Sequence, residues 1–304
     1  MKKIFISTST FGKDDPKPLD LLKNHGIDYE LNPTGRQLTE AEIAGYLADK
    51  AGLIAGTEPL TEKVMEQVGF LKVISRLGVG LDSVDVAAAE KKGIQVYNTP
   101  NGPTEAVAEL ALGLILDVLR LISYSDRNLR RGAWKKTMGR LLKEKKVGII
   151  GFGRIGRRLA ELLTPFHCQL YIYDPYVSGN QGIKQVQTIE ELIATSEIIS
   201  LHIPYTKENH HLLGRKQLEA MKPGTVLINV SRGKLVDEAA LYDCLQNGRL
   251  AGAGFDAFAA EPYSGALCEL DNIVLTPHMG SYAKEARVQM EVDAVKNLLK
   301  GLGL

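Results

Sequence analysis

The chain has 304 residues, 44% of them hydrophobic and 24% charged, with a formal net charge of +1; this length suits two domains of ordinary size, and near-neutrality offers no basic face for nucleic acid or a membrane surface, so a small-molecule partner is expected. No apolar run approaches a membrane span, and the opening "MKKIFISTST" turns polar after one short strand, unlike a secretory leader, so a cytoplasmic protein is expected. Cys168, Cys244 and Cys268 are odd in number and lack C-x-x-C spacing, which argues against a disulfide framework and against a zinc site.

In chain order, short β-branched runs alternate with helical patterns: "KIFIS" then "LDLLKNHG", "AGLIAG" then "TEKVMEQV", "LKVISR" then "VDVAAAEKKG", followed by "IQVYN". Runs this apolar, alternating with helices, predict a parallel sheet covered on both faces, so residues 1–99 read as one α/β domain. From Pro103 to Arg120, "PTEAVAELALGLILDVLR" opens with a proline suited to a first helical turn and is apolar nearly all round. Such a helix must be covered on several sides, either between the domains of one chain or by a second copy. With the only tryptophan, Trp134, in the following arm "RRGAWKK", a homodimer is expected. A second α/β series, residues 100–283, runs from "KKVGIIGFGRIGRRLAELL" through "QLYIYD", "EIISLHIP", "GTVLINV", "LAGAGFDAF" and "NIVLTPH". The closing "SYAKEARVQMEVDAVKNLLKGLGL" reads as one helix, with residues 284–304 expected to complete the first domain. The expected fold class is α/β: two Rossmann-like or flavodoxin-like parallel-sheet domains with a cleft between them.

In "VGIIGFGRIGRRLAELL" four apolar residues precede Gly151, Gly153 and Gly156, and Ile155, Leu159 and Leu162 then recur at helical spacing. Glycines so placed allow a tight turn, a close approach of backbone to pyrophosphate and close helix–sheet packing, with phosphate held where Arg154 and Ile155 open the helix. A glycine-rich turn that binds nothing has the same spacing; the preceding strand, the following helix and Asp174 favour the dinucleotide. Asp174 stands where an acidic residue receives the ribose hydroxyls and repels a 2′-phosphate, and Pro175 and Tyr176 offer no arginine, so the predicted cofactor is NAD and not NADP.

Three consecutive strands end on polar residues: "TVLINV" on Ser231 and Arg232, "AGAGF" on Asp256 with Glu261 beyond, and "IVLTP" on His278. The carboxyl ends of parallel strands border the ligand crevice of an open sheet. A guanidinium is seldom buried without a partner, so Arg232 either faces solvent or meets an anion. Hydride transfer at an alcohol carbon needs a group that takes or returns the hydroxyl proton, a cation that holds the acid and polarises the carbonyl, and a group that tunes the base. His278, Arg232 and Glu261 supply one of each. His210 and His211, in the polar connection "TKENHHLLG", are assigned no chemistry.

In order and spacing, "GFGRIG" with Asp174, "LHIPYT", "LINVSRGKLVDEAAL", "GAGFDAFAAEP" and "TPHMGS" resemble the D-isomer-specific 2-hydroxyacid dehydrogenases. "ISRLGVGLDSVDVAAAEKKGIQVYNTPNGPTEAVAELALGLIL" extends the resemblance over nearly the whole chain and looks most like the 3-phosphoglycerate dehydrogenase branch. The resemblance implies NAD-dependent hydride transfer at C2 of a D-2-hydroxy acid. His278 would be the acid/base, Glu261 its hydrogen-bond partner favouring imidazolium, and Arg232 the grip on substrate carboxylate and carbonyl. Val79 and Gly80 would bind the carboxylate through backbone N–H groups. It further implies that His202, Pro204, Thr104 and Asp256 lie near the dinucleotide, that residues 1–99 bind substrate and 100–283 bind NAD, and that the chain dimerises around Trp134.

Arg76, at the end of "LKVIS", would read a second anionic group on the substrate, or else pair with Asp82 or Glu58. Phosphoglycerate dehydrogenases commonly bring another arginine from the loop that here reads "LIAGTEPLT", which holds Ala55 and Glu58 instead. The expected substrate is a short acid with a polar or anionic tail, 3-phosphoglycerate among the candidates. Two rivals stay open: a non-catalytic NAD-responsive binding protein of the corepressor kind, and a phosphite dehydrogenase-like enzyme. Glu261 argues against formate dehydrogenase, whose pattern has glutamine there.

Overall fold

A computed structural model describes residues 2–177 and 183–304. They divide into two compact units: unit 1 runs to Thr104 and includes Ser281–Leu304, and unit 2 is Glu105–Gly280. The sequence pattern puts these boundaries at 99/100 and 283/284.

Unit 1 carries five parallel strands, β1 (Lys3–Ile6), β2 (Asp28–Leu31), β3 (Gly52–Ala55), β4 (Val73–Arg76) and β5 (Gln95–Asn98), in the order β2-β1-β3-β4-β5. Side chains alternate across the sheet, so Phe5, Leu53 and Ile74 enter one apolar cluster while Ile4, Ile54 and Val73 enter another. The second cluster is closed by the helix Lys284–Gly301, through Met290, Ala294, Val295, Leu298 and Leu299. Strand β2 escapes the pattern of apolar runs because "DYEL" is an edge strand, mostly exposed, with no second face to bury.

Unit 2 continues with β6 (Lys146–Ile150), β7 (Gln169–Tyr173), β8 (Lys184–Gln185), β9 (Ile198–Leu201), β10 (Thr225–Asn229), β11 (Leu250–Phe255) and β12 (Ile273–Leu275). All are parallel, in the order β12-β11-β10-β9-β6-β7-β8. The same alternation divides its core: Ile149, Ile198, Val226 and Ile228 lie on one face, and Ile150, Ile199, Leu227 and Phe255 on the other. Ala108, Ala111, Leu114, Ile115, Val118 and Leu119 of the helix Pro103–Arg120 pack on the first of these faces. Glu109 and Gly113 are exposed, so this helix buries a broad stripe and not its whole circumference. No helix among the described residues is long and apolar enough to cross a membrane, and none of their His, Cys, Asp and Glu side chains cluster to hold a metal ion.

Candidate active site

The order of strands in unit 2 reverses between β6 and β9, and a doubly wound sheet opens its ligand crevice at that point, outside the carboxyl ends of the strands. The glycine loop leaves β6 there, and its glycines have different causes. Gly151 has φ +93°, and a Cβ on it would lie 2.6 Å from the His202 carbonyl oxygen, so both conformation and space demand glycine. A Cβ on Gly156 would fall 2.2 Å from the Gly151 carbonyl oxygen, which lets the helix Arg154–Leu163 pack directly on the loop. Around Gly153 there is nothing within 4 Å, so the protein itself does not require glycine there; a phosphate approaching the backbone does. Gly153 opens the helix without a side-chain cap, leaving its first N–H groups, Arg154 and Ile155 among them, to an anion.

Asp174, after β7, is fixed beside this loop: one carboxylate oxygen accepts the Phe152 N–H at 2.8 Å and the other the Tyr176 N–H at 2.9 Å. Each oxygen keeps acceptor capacity for a hydroxyl. His202, after β9, shares a 2.8 Å hydrogen bond between Nε2 and Ser200 Oγ. Its Nδ1 is sealed from solvent with no partner among the described residues, and burial lowers its pKa to about 3, so the ring is neutral. Pro204, two residues on, is exposed and its carbonyl accepts from Asn209 Nδ2 at 2.8 Å. Thr104 belongs to unit 1, where its hydroxyl is likewise sealed and unpartnered among the described residues.

The next three strand ends carry the chemistry-bearing side chains. After β10, buried Asn229 clamps the turn: its Nδ2 donates to the Arg232 carbonyl at 3.0 Å while its Oδ1 accepts the Ser231 N–H at 3.0 Å. Ser231 Oγ adds a bond to the Leu201 carbonyl. Arg232 is half-buried, and its Nη1 donates to the Ser231 carbonyl at 2.8 Å. Gly233 lies so close to the turn after β11 that a Cβ on it would sit 1.8 Å from the Phe258 carbonyl carbon. This close approach brings the Arg232 turn against the one that leads to Glu261.

Asp256, 1% exposed at the end of β11, spends its carboxylate on the turn after β12. It accepts from Thr276 Oγ1 at 2.6 Å and from the N–H groups of Met279 and Gly280, each at 2.8 Å. That turn holds His278 in the left-handed region, φ 51°, a costly conformation for a residue with a Cβ. The resemblance puts Asp256 near the dinucleotide; what its geometry shows is a brace for the histidine.

His278 Nδ1 lies 2.7 Å from Glu261 Oε2, and Glu261 Oε1 accepts the Phe258 N–H at 2.9 Å. Burial favours the protonated form of Glu261, but the hydrogen bonds from His278 and Phe258 and the charges of His278 and Arg232 outweigh it and bring the carboxyl below its ordinary value. An ionised carboxylate only accepts, so His278 Nδ1 carries the proton and Nε2 is left for chemistry. The side chains of His278 and Glu261 are 44% and 37% exposed, which keeps that nitrogen within reach of a ligand.

Arg232, Glu261 and His278 thus come together within unit 2. Arg76, Val79 and Gly80 belong to unit 1, at the carboxyl edge of its sheet. There the Val79 carbonyl accepts from Asn98 Nδ2 at 2.7 Å, and the Gly78 N–H donates to Thr99 Oγ1 at 2.8 Å, which ties the loop to the end of β5. Asn229, Gly233 and Thr276 are supports that the sequence pattern does not single out. An asparagine closing the apolar run "LIN" is the one signal that points to any of them.

The description "D-isomer specific 2-hydroxyacid dehydrogenase, NAD binding domain" matches residues 112–280. The chain belongs to the D-isomer-specific 2-hydroxyacid dehydrogenase family. Among its relatives, a glyoxylate reductase of Thermococcus litoralis is 42% identical over 257 residues, 80% of this chain and 77% of that one. A D-3-phosphoglycerate dehydrogenase of Archaeoglobus fulgidus is 36% identical over 297 residues, 93% of this chain, which spans 55% of that protein's length. The crystal structure of TT0316 protein from Thermus thermophilus superposes with a TM-score of 0.92 at 36% identity, covering 99% of this chain and 97% of that one. The open space at Gly153, the uncapped helix start and the placed Asp174 fit NAD, the cofactor of the matched domain.

Proposed function

We propose that this dehydrogenase moves a hydride between C2 of a short D-2-hydroxy acid and NAD, with His278 exchanging the hydroxyl proton. The 2.7 Å bond between Glu261 and His278, beside the Arg232 guanidinium, is the observation that carries the reading. When bound, the nicotinamide supplies or accepts the hydride. In oxidation, His278 Nε2 takes the C2 hydroxyl proton while Glu261 stabilises the resulting imidazolium; in reduction the protonated ring returns it. Arg232 holds the carboxylate and polarises the carbonyl, a role that suits its planar fork of donors. Val79 and Gly80 of unit 1 add backbone N–H groups to the carboxylate. On this reading residues 1–99 with 284–304 bind substrate and residues 100–283 bind NAD.

Asp174 supports NAD over NADP, since a 2′-phosphate would meet a carboxylate already fixed by Phe152 and Tyr176. A homodimer is supported by residues 121–141: Ile122, Leu129, Trp134, Met138 and Leu141 are all more than half exposed, more apolar surface than one segment ordinarily leaves in water. Light scattering should give twice the chain mass, and a monomer at micromolar concentration would overturn that part. Three free cysteines fit a reducing, cytoplasmic setting.

The test is a panel of 2-oxo and 2-hydroxy acids, with phosphite included, assayed by nicotinamide absorbance with NAD(H) and NADP(H). Turnover on short 2-oxo acids with NADH preferred over NADPH is expected. NADH binding without turnover on any acid would replace the enzyme with a binding protein.

A further inference from the structure

Unit 1 has its own polar cluster, at the carboxyl edge where β1, β3 and β4 end side by side. Its strand order reverses between β1 and β3, which places the crevice of this sheet at Ser7 and residues 56–58. Glu58 lies there only 2% exposed, where an unpaired carboxylate would be very costly. It accepts the Ser7 hydroxyl at 2.5 Å and the Gly56 N–H at 3.1 and 3.2 Å. Burial pushes its carboxyl above the ordinary value, opposed by these bonds and by the charge of Arg76, one strand over. Arg76 Nη1 donates to the Leu77 carbonyl, and a Cβ on Gly78 would fall 1.2 Å from that same nitrogen. The guanidinium therefore lies along the backbone that leads into Val79 and Gly80. Thr8 Oγ1, also following β1, is sealed from solvent with no partner among the described residues.

We propose that Glu58 is a specificity-determining residue that, by countering Arg76 at this edge, sets the enzyme against a phosphorylated substrate tail and in favour of a short, uncharged one. The proposal rests on the reading that the enzyme acts on 2-oxo and 2-hydroxy acids and that unit 1 holds the substrate. A phosphate carries close to two negative charges, and bringing them to a buried carboxylate is opposed where salt screens poorly. Arg76 offers such a tail little relief, because its charge is shared with Glu58 and its Nη1 is spent on the Leu77 carbonyl. A hydroxyl brings no charge and so meets no such opposition.

The experiment follows NADH oxidation with glyoxylate, hydroxypyruvate and 3-phosphohydroxypyruvate, for the wild type and for Glu58→Gln. The wild type should show kcat/KM for hydroxypyruvate at least about tenfold above that for the phosphorylated acid, and Glu58→Gln should move this ratio at least about tenfold toward the phosphorylated acid. A wild-type preference for the phosphorylated acid, or an unmoved ratio in a variant shown to be folded by circular dichroism, overturns the proposal. Should the variant fail to fold, the wild-type ratio decides alone. Absence of wild-type turnover on all three acids overturns the parent reading as well, and is distinguished from the other failures because glyoxylate has no tail to discriminate.

Discussion

Two sheet edges in this protein set a carboxylate beside a basic side chain, and they differ in what is left open. In unit 2, His278 and Glu261 stand 44% and 37% exposed, and the carboxylate fixes one ring nitrogen while the other stays available. In unit 1, Glu58 is sealed by Ser7 and Gly56, and Arg76 folds onto its own loop. On the proposed reading the pairing serves proton transfer where one member keeps an open atom, and selectivity where the carboxylate is sealed. Exposure of the second atom, more than the presence of a charged pair, separates the two roles.

The comparison breaks most visibly at His278. Replacing it by alanine should lower turnover by about a hundredfold to ten-thousandfold while NADH affinity, measured by fluorescence titration, changes little, since in the proposed mechanism the ring acts on the substrate and the glycine loop holds the dinucleotide. Retention of more than about a third of the rate would remove His278 from the chemistry.

A smaller effect is expected at Gly233, whose close approach to Phe258 joins the Arg232 and Glu261 turns. Gly233→Ala should cost about 1–3 kcal/mol in unfolding free energy, because the new methyl group forces the backbone turns apart, and should weaken turnover through Arg232. A melting temperature equal to that of the wild type would show that the turns yield without cost.

The smallest effect sharpens the contrast with a third, sealed group. His202 titrates at about 3 in the folded chain, against 6.5 ordinarily, because of burial. Between those values the unfolded chain binds a proton that the folded chain refuses, so stability is fully present above pH 6.5 and declines as pH falls toward 3. Glu261 acts in the same direction: its folded value is depressed, so its stabilisation holds at neutral pH and is lost as pH drops through that value. Urea unfolding at about pH 7 and about pH 5 should therefore show a loss in the wild type that is smaller, by on the order of 1 kcal/mol, in His202→Gln. Equal losses in both proteins would show that the ring protonates within the fold.

Much of the fold is legible because central strands are buried on both faces and so appear as apolar runs, from "KIFIS" to "TVLINV". Edge strands β2 and β8 lack that signature, being short and largely exposed. At the site, residue types and spacing suffice to single out Arg232, Glu261 and His278, but not what holds them. The Asn229 clamp, the bracing of the histidine turn by Asp256, and the space around Gly233 arise where segments remote in sequence meet, and no local pattern encodes such a meeting. Arg76 shows the limit most clearly: a strand-end arginine reads as a substrate contact, whereas its orientation over Gly78 depends on a loop that the guanidinium itself covers.

Whether Glu261 and His278 work as one unit is decided by a double-mutant cycle on kcat/KM with Glu261→Gln, His278→Ala and the combined variant. Residues acting through a single group are not additive. For a single unit, Glu261→Gln should lower kcat/KM in the wild-type background, by about tenfold or more for a charge-assisted hydrogen bond, yet lower it no further once His278 is alanine. Multiplicative losses in the double variant would contradict it, showing that Glu261 acts by a route independent of the histidine.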